Sequence, residues 1–261
     1  MSEAKGMDIN MTYKDFIVTK EDGVAVVTIN RPDKGNSWTQ ATYEEMARLQ
    51  QDLHYDEEIK VIVLTGAGEK FFCAGADLSL ISSLNPEFIA LNLPRFQAIN
   101  TGWEKHIKPV IVAIQGIVVG SGLELALAGN IRVSTPEATF AINEVKLGLN
   151  PDMGGTQRLA RTVGRSQAMR LILTGETIDS SEALRIGLID MVFEKEVFMP
   201  KVIKLARVIA QNPPLAVRYA KKAINIAQDV DINTGLLIEE MGSTYCVSTD
   251  AMQAIMTKLK K

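Results

Sequence analysis

An α/β fold is predicted by three features of this 261-residue chain. Apolar runs rich in β-branched residues recur at 23–30, 61–65 and 110–114, and nearly unbroken runs of that kind suit strands buried on both faces. Helical patterns lie between them as far as about Val192, and strand alternating with helix is the mark of the α/β class. Beyond that point the β signal stops. The chain is therefore expected to divide into a main unit, residues 1–199, and a helical C-terminal unit, residues 200–261.

Taken in order, residues 23–30 (GVAVVTIN) make the first strand, which ends where Pro32 lacks the N–H that a ladder needs. A turn over 34–37 precedes a helix over 39–53. Thr39 is placed to cap it, and Tyr43, Met46, Leu49 and Leu53 recur at helical spacing as a core-facing stripe. Residues 61–65 (VIVLT) form the next strand. Gly66 and Gly68 open a loop, and 71–78 (FFCAGADL) lead towards a helix beginning near Asp77. The small residues Ala74, Gly75 and Ala76 let a ligand approach the main chain there.

Residues 82–94, with Pro86 and Pro94 as breakers, read as a mobile insertion before a helix over 95–106. Trp103, Phe88, Leu91, Leu93 and Phe96 suit either the core or the lining of an acyl pocket. The strand over 110–114 (VIVAI) runs into a turn with glycines at 116, 120 and 122, and then into a short helix carrying Glu124. After 139–142, helices over 155–163 and 165–173 meet at Gly164. A helix over 180–185 has Ser180 as its cap and Gly187 as its stop. The C-terminal helices cover 200–210, 215–227 and 234–257, the last with a break near Ser248.

Composition narrows the chemistry. A formal net charge of −3 leaves no broad basic field, so neither nucleic acid nor an anionic membrane is expected as a partner. Cys73 and Cys246 are distant in sequence, which gives no disulfide framework. With two histidines, His54 and His106, a multi-histidine metal centre is not expected, and no metal ligand is assigned. Residues 1–11 lack the basic flank and apolar stretch of a targeting signal, and no run approaches ~18 apolar residues. A cytoplasmic protein is expected, its basic tail (Lys258, Lys260, Lys261) a solvated end.

The work must then rest on carboxylates and backbone. Glu124 lies among Leu123, Leu125 and Ala126, and Glu144 precedes Val145. An apolar setting pushes a carboxyl towards neutrality, where it can take or give a proton. Asp152, just before Gly154 and Gly155, suits a helix N-cap or a catalytic role. Two glycine-rich turns could aim two N–H groups at one oxygen, an oxyanion hole. Two donors and two acids specify proton chemistry beside a carbonyl.

Several ordered motifs carry a resemblance over residues 15–250: INRPDKGNSW at 29–38, AGADL at 74–78, GIVVGSGLELALA at 116–128, NEVKLGLNPDMGGTQRL at 143–159 and LTGETIDSSEALRIGLID at 173–190. The chain resembles the crotonase superfamily, the enoyl-CoA hydratase/isomerase group. The resemblance implies a spiral of ββα units, a helical C-terminal trimerisation region, and a homotrimer or dimer of trimers. It implies an acyl-CoA thioester substrate, with coenzyme A as part of it and no further cofactor. The thioester oxygen would lie between the N–H groups of Ala76 and Ser121, where Ser121 replaces the middle glycine of the family's GGGxE motif. Glu124 and Glu144 would be the two hydratase glutamates, Glu124 helping to activate water and Glu144 handling the proton at Cα.

The family pattern places Ala74, Gly75, Asp77 and Leu78 along the ligand; Asn36 and Gly120 are expected to join them in binding the substrate, and Lys34 and Lys70 are placed for contact with the CoA nucleotide. Other departures from the family pattern are Asn143 for a usual proline and Asn130 for a common aspartate. Asp152 stands where many hydratase-like members have glycine and some double-bond isomerases have aspartate. Hydration of a 2-enoyl-CoA is thus the first expectation. An enoyl- or dienoyl-CoA isomerase using Glu144 and Asp152 is the alternative, and a non-catalytic acyl-CoA-binding subunit comes third.

Overall fold

The computed structural model describes residues 12–259. The stretch read for a targeting signal, residues 1–11, and Lys260 and Lys261 of the basic tail lie outside them. Among the described residues, ten strands form two sheets. The larger contains β1 (Phe16–Glu21), β2 (Val24–Ile29), β3 (Val61–Gly66), β5 (Val110–Ile114), β7 (Ile131–Ser134) and β10 (Met191–Val192), in the order β1-β2-β3-β5-β7-β10. Only β1 and β2 are antiparallel; every later pairing in this sheet is parallel. The smaller contains β4 (Phe71–Cys73), β6 (Ile117–Val119), β8 (Thr139–Ala141) and β9 (Thr177–Asp179), in the order β4-β6-β8-β9.

The two sheets are linked by a repeat. β3, β5 and β7 each pass within a few residues into β4, β6 and β8, so that successive turns of chain add one strand to each sheet. This is a spiral of ββα units. Strand β1 carries no sequence signal of the apolar kind, because FIVTKE is an edge strand buried chiefly at Phe16. Its only cue is Asp22-Gly23, whose positive φ angles of 52° and 78° make the two-residue turn that joins β1 to β2.

All six residues of β3 and all five of β5 are buried, as their unbroken apolar runs predict. Alternate side chains face two layers. Val24, Val61, Val63, Ile111, Ala113 and Val133 pack against Phe198, Val202, Ala206 and Ala210 of α7 (Phe198–Ala210). The opposite set, including Val27, Ile62, Leu64, Val112 and Ile114, joins the main core with Met46, Leu49 and Leu53 of α1 (Gln40–Tyr55). Thr39 caps α1, accepting the N–H of Thr42 at 3.1 Å.

Two sequence expectations are corrected. Residues 86–94 are not an insertion: α3 (Pro86–Lys105) runs unbroken through Pro94. Asn85 caps it by accepting the Phe88 N–H at 2.9 Å, and Pro86 sits in the first turn, where its missing N–H costs nothing. Pro94 forfeits one intrahelical bond, but Phe96, Ile99 and Trp103 bury that face and hold the helix together. The helix α6 (Ser180–Arg185) is capped by Asp179, which accepts the Glu182 N–H at 2.8 Å. Ser180 is already inside the helix and donates to the Thr135 carbonyl at 2.6 Å.

The remaining helices are α2 (Leu78–Ser82), α4 (Ser121–Leu127), α5 (Gly155–Thr174), α8 (Pro214–Ile226), α9 (Ile232–Val247) and α10 (Asp250–Leu259). Helix α5 is kinked at Gly164, which leaves helical geometry at φ 80° and ψ 156°, and α9 ends at Ser248 as expected. Helix α8 is tied to the main unit by Lys221, which donates to the carbonyls of His106 and Lys108, and by Asn225, which donates to that of Glu104. Ile232, Leu236, Leu237 and Met241 of α9 are exposed.

Asn36, expected along the ligand, is a buried knot whose side chain is committed to the main chain. Its carboxamide oxygen accepts the Arg31 N–H at 2.9 Å, and its nitrogen donates to the carbonyls of Ala67 and Phe71 at 3.0 and 2.8 Å. Beside it, Trp38 donates to Gly75 and Ala74 to Gly35, so residues 35–38 fasten the strand that leads into 74–77. Removing the carboxamide orphans three main-chain groups, each costing ~1–3 kcal/mol where water cannot replace the bond. Asn36→Ala is expected to lose about 2–4 kcal/mol of unfolding free energy, read from urea denaturation.

Candidate active site

One cleft of about 800 Å³ gathers the residues singled out from the sequence. Ala74, Gly75 and Ala76 follow β4, and Gly120, Ser121 and Glu124 come from the β6 to α4 turn. Glu144 opens the segment after β8, and Asp152 precedes α5. The opposite wall is apolar and includes Tyr43 of α1, Leu80 of α2, and Phe88, Leu93 and Phe96 of α3. The Tyr43 and Phe96 rings stack at 4.6 Å. Of the aromatic and aliphatic cluster read from the sequence, Phe88, Leu93 and Phe96 line the cleft, Trp103 is core, and Leu91 is exposed.

Two main-chain donors meet here. Ser121 is the first residue of α4, so its N–H has no acceptor within the helix. Among the described residues, neither this N–H nor that of Ala76 donates to a main-chain carbonyl. Their loops are in contact: a Cβ placed on Gly75 would lie 3.3 Å from the Ser121 nitrogen.

Glu124 is 1% exposed. Its Oε1 accepts the N–H groups of Met153 at 2.9 Å and Gly155 at 2.7 Å. Residue 155 must be glycine for this approach, since a Cβ there would lie 2.7 Å from the same oxygen. Glu144 contrasts with it. Both of its carboxyl oxygens are buried and have no hydrogen-bond partner among the described residues. They rest against Gly120, where φ is 56° and a Cβ would come within 3.0 Å of Oε1.

Burial sets the acidity of all three acids. It pushes Glu124 up to about 8, reinforced by the charges of Glu144 and Asp152 and opposed by the Gly155 and Met153 N–H groups. Glu144 and Asp152 are raised as well, chiefly by burial. Asp152 does not cap α5. Gly154 occupies the cap position without a side-chain bond, and Asp152, two residues earlier, faces the cleft.

Other residues placed along the ligand by resemblance lie outside the cleft. Asp77 is spent as the N-cap of α2, accepting the Ser79 N–H at 3.0 Å and the Ser37 hydroxyl at 3.0 Å. Leu78 points to solvent at 81% exposure. Lys34 and Lys70 are exposed, Lys70 lying over the Phe71 ring. Tyr43 is the residue that the sequence reading left in the core; its sole signal was one hydroxyl in an otherwise apolar stripe. Among the described residues, no group of three or more His, Cys, Asp or Glu is arranged to hold a metal ion.

The sequence profile of the enoyl-CoA hydratase/isomerase family matches residues 19–260. The chain is 40% identical to the short-chain-enoyl-CoA hydratase of Clostridium acetobutylicum, over 96% of this chain and 97% of that protein. It is 37% identical to the crotonyl-CoA hydratase of Syntrophomonas wolfei, over 95% of each. The solved enoyl-CoA hydratase of Bacillus anthracis superposes with a TM-score of 0.89 at 35% identity, covering 94% of this chain and 97% of that one.

The acidity of Glu124 has a consequence for stability. Its pKa is raised on folding from 4.5 to about 8, so between those values the folded chain holds a proton that the unfolded chain has released. Stability is therefore lost as pH rises through that window. Glu124→Gln keeps an oxygen for the two N–H groups and removes the titration. The variant is expected to gain stability over the parent at about pH 9 relative to about pH 5, measured by urea unfolding at both.

Proposed function

The chain belongs to the enoyl-CoA hydratase/isomerase family, and from that premise we propose that it adds water across the double bond of a 2-enoyl-CoA, giving the 3-hydroxyacyl-CoA. The observation that carries this reading is two buried carboxyls on one cleft with two main-chain N–H groups that have no main-chain acceptor. Addition to an enoyl thioester develops negative charge on the thioester oxygen, and preorganised donors favour that charge. Ala76 and Ser121 supply them.

The proton count follows from the acids. One must be ionised and the other protonated, and two raised carboxyls facing each other discourage full ionisation of both. At rest below about pH 8 Glu124 holds a proton; in the productive state that proton lies on Glu144, and Glu124, fixed by Met153 and Gly155, is the carboxylate that takes a proton from water as its oxygen attacks C3. The electron pair of the double bond moves onto the thioester as an enolate. Protonation at C2, the Cα of the acyl group, by Glu144 then completes the addition, and passage of the proton from Glu124 back to Glu144 resets the pair. The sum is one water added, with no change of oxidation state in the protein, so the reaction as proposed uses no cofactor beyond the CoA of its substrate.

The apolar wall supports an acyl group as the occupant of the cleft. The exposed Ile232, Leu236, Leu237 and Met241 support association through α9 into a homotrimer or dimer of trimers. Both cysteines are free, which suits the reducing cytoplasm. Among the described residues no helix is long and apolar enough to cross a membrane.

Asp152 supports a second reading, double-bond migration with Glu144, because its carboxyl lines the same cleft. Purified protein is expected to abolish the enoyl absorbance of crotonyl-CoA, and Glu144→Gln to lower kcat by ~10²–10⁴ while the far-ultraviolet dichroism stays unchanged. Unchanged absorbance with the parent protein would count against hydration. Asp152→Gly decides between the readings: hydration is expected to survive it, whereas a large loss of migration in an enoyl- or dienoyl-CoA product assay would favour isomerisation.

A further inference from the structure

We propose that the side-chain hydroxyl of Ser121 is a third donor to the thioester oxygen, beside the N–H groups of Ala76 and of Ser121 itself. The inference rests on the hydratase reading of the cleft. Ser121 is 8% exposed, and its Oγ is buried with no hydrogen-bond partner among the described residues. A buried hydroxyl left unpaired is costly, and such groups are normally satisfied by protein, water or ligand.

Position identifies the ligand atom. The Ser121 hydroxyl and N–H face the same loop, since a Cβ on Gly75 would lie 3.4 Å from Oγ and 3.3 Å from the nitrogen. Gly75, Ala76 and Ser121 all line the cleft. An oxygen held by the Ser121 N–H is therefore within reach of the hydroxyl on the same residue. A hydroxyl has one proton to donate and two lone pairs to offer. Tyr43 is its neighbour, a cleft-lining phenol 2% exposed whose acidity the serine hydroxyl favours as a hydrogen-bonding neighbour, although the two oxygens fall outside full hydrogen-bond geometry and leave Oγ unsatisfied. A small rotation lets the phenol donate to Oγ, which turns the serine proton towards the thioester.

The glycine expected here by resemblance would leave the oxygen with two donors. Serine adds one without losing either, so the change strengthens the hole where bulk alone would crowd it.

The test uses the full-length protein with Ser121→Ala, Ser121→Gly and Tyr43→Phe. Both serine variants are expected to lose about tenfold or more in kcat for crotonyl-CoA hydration, with KM little changed and the melting temperature kept or raised. Tyr43→Phe is expected to lose severalfold in the same direction. A readout independent of turnover is the near-ultraviolet band of bound acetoacetyl-CoA enolate, whose pH midpoint is expected to rise by about one unit in Ser121→Ala, the equivalent of tenfold.

Parent-like kcat and an unmoved enolate midpoint in Ser121→Ala would overturn the inference. So would a gain in Ser121→Gly, which would make the serine an obstruction. If the parent turns over no enoyl-CoA, the hydratase reading fails by itself, and the enolate midpoint still decides the role of the hydroxyl.

Discussion

Everything in the cleft is arranged about the pair of N–H bonds that Met153 and Gly155 make to the buried Oε1 of Glu124. A carboxyl in an apolar helix is costly to bury unless hydrogen-bonded, and these bonds draw residues 150–155 onto α4. The same segment is held from the other side, where Gln97 donates to the Asp152 carbonyl, and Asn100 and Arg158 to that of Met153. One glutamate thus fixes the relation of α4, α5 and α3. Glu144 can then be left without partners, because the geometry around it is set by its neighbour.

The contrast between the acids is a division of labour by environment. Glu124 has donors and a defined orientation; Glu144 has buried oxygens that nothing among the described residues satisfies. On the proposed mechanism, the group that exchanges a proton with carbon gains from being unencumbered, whereas the one that aims a water gains from being fixed. Asp152 adds a third carboxyl to the same small volume. Its charge raises Glu124 and Glu144 without a direct bond to either.

The parts of this design legible in the sequence are those written in local pattern. Unbroken β-branched runs marked β3 and β5, and the glycines around 120 marked a turn that lines the cleft. Glu124 stood out because it interrupts an apolar helix. What escaped was set by tertiary contact. Pro94 signals a break by itself, yet α3 continues through it because Phe96, Ile99 and Trp103 gain more from burial than one intrahelical bond is worth. Asp152 has the residue type of a cap, but which residue caps α5 depends on where the chain turns, and it turns at Gly154. Asn36 and Asp77 lie in sequence beside cleft-lining residues while their own polar atoms are committed to the main chain and to α2. Tyr43 belongs to a core stripe by spacing; only the opposing wall shows that its stripe ends at a cleft.

Helix α8 holds the end of α3 and the start of β5 through Lys221 and Asn225, which together grip the carbonyls of residues 104, 106 and 108. These are main-chain anchors, insensitive to the identity of the side chains they clasp. The C-terminal helices and the apolar wall of the cleft are thereby linked in series: sequence can drift on either side of the joint while its spacing is preserved. The wall of α3 is then free to change shape without renegotiating how the C-terminal helices are mounted.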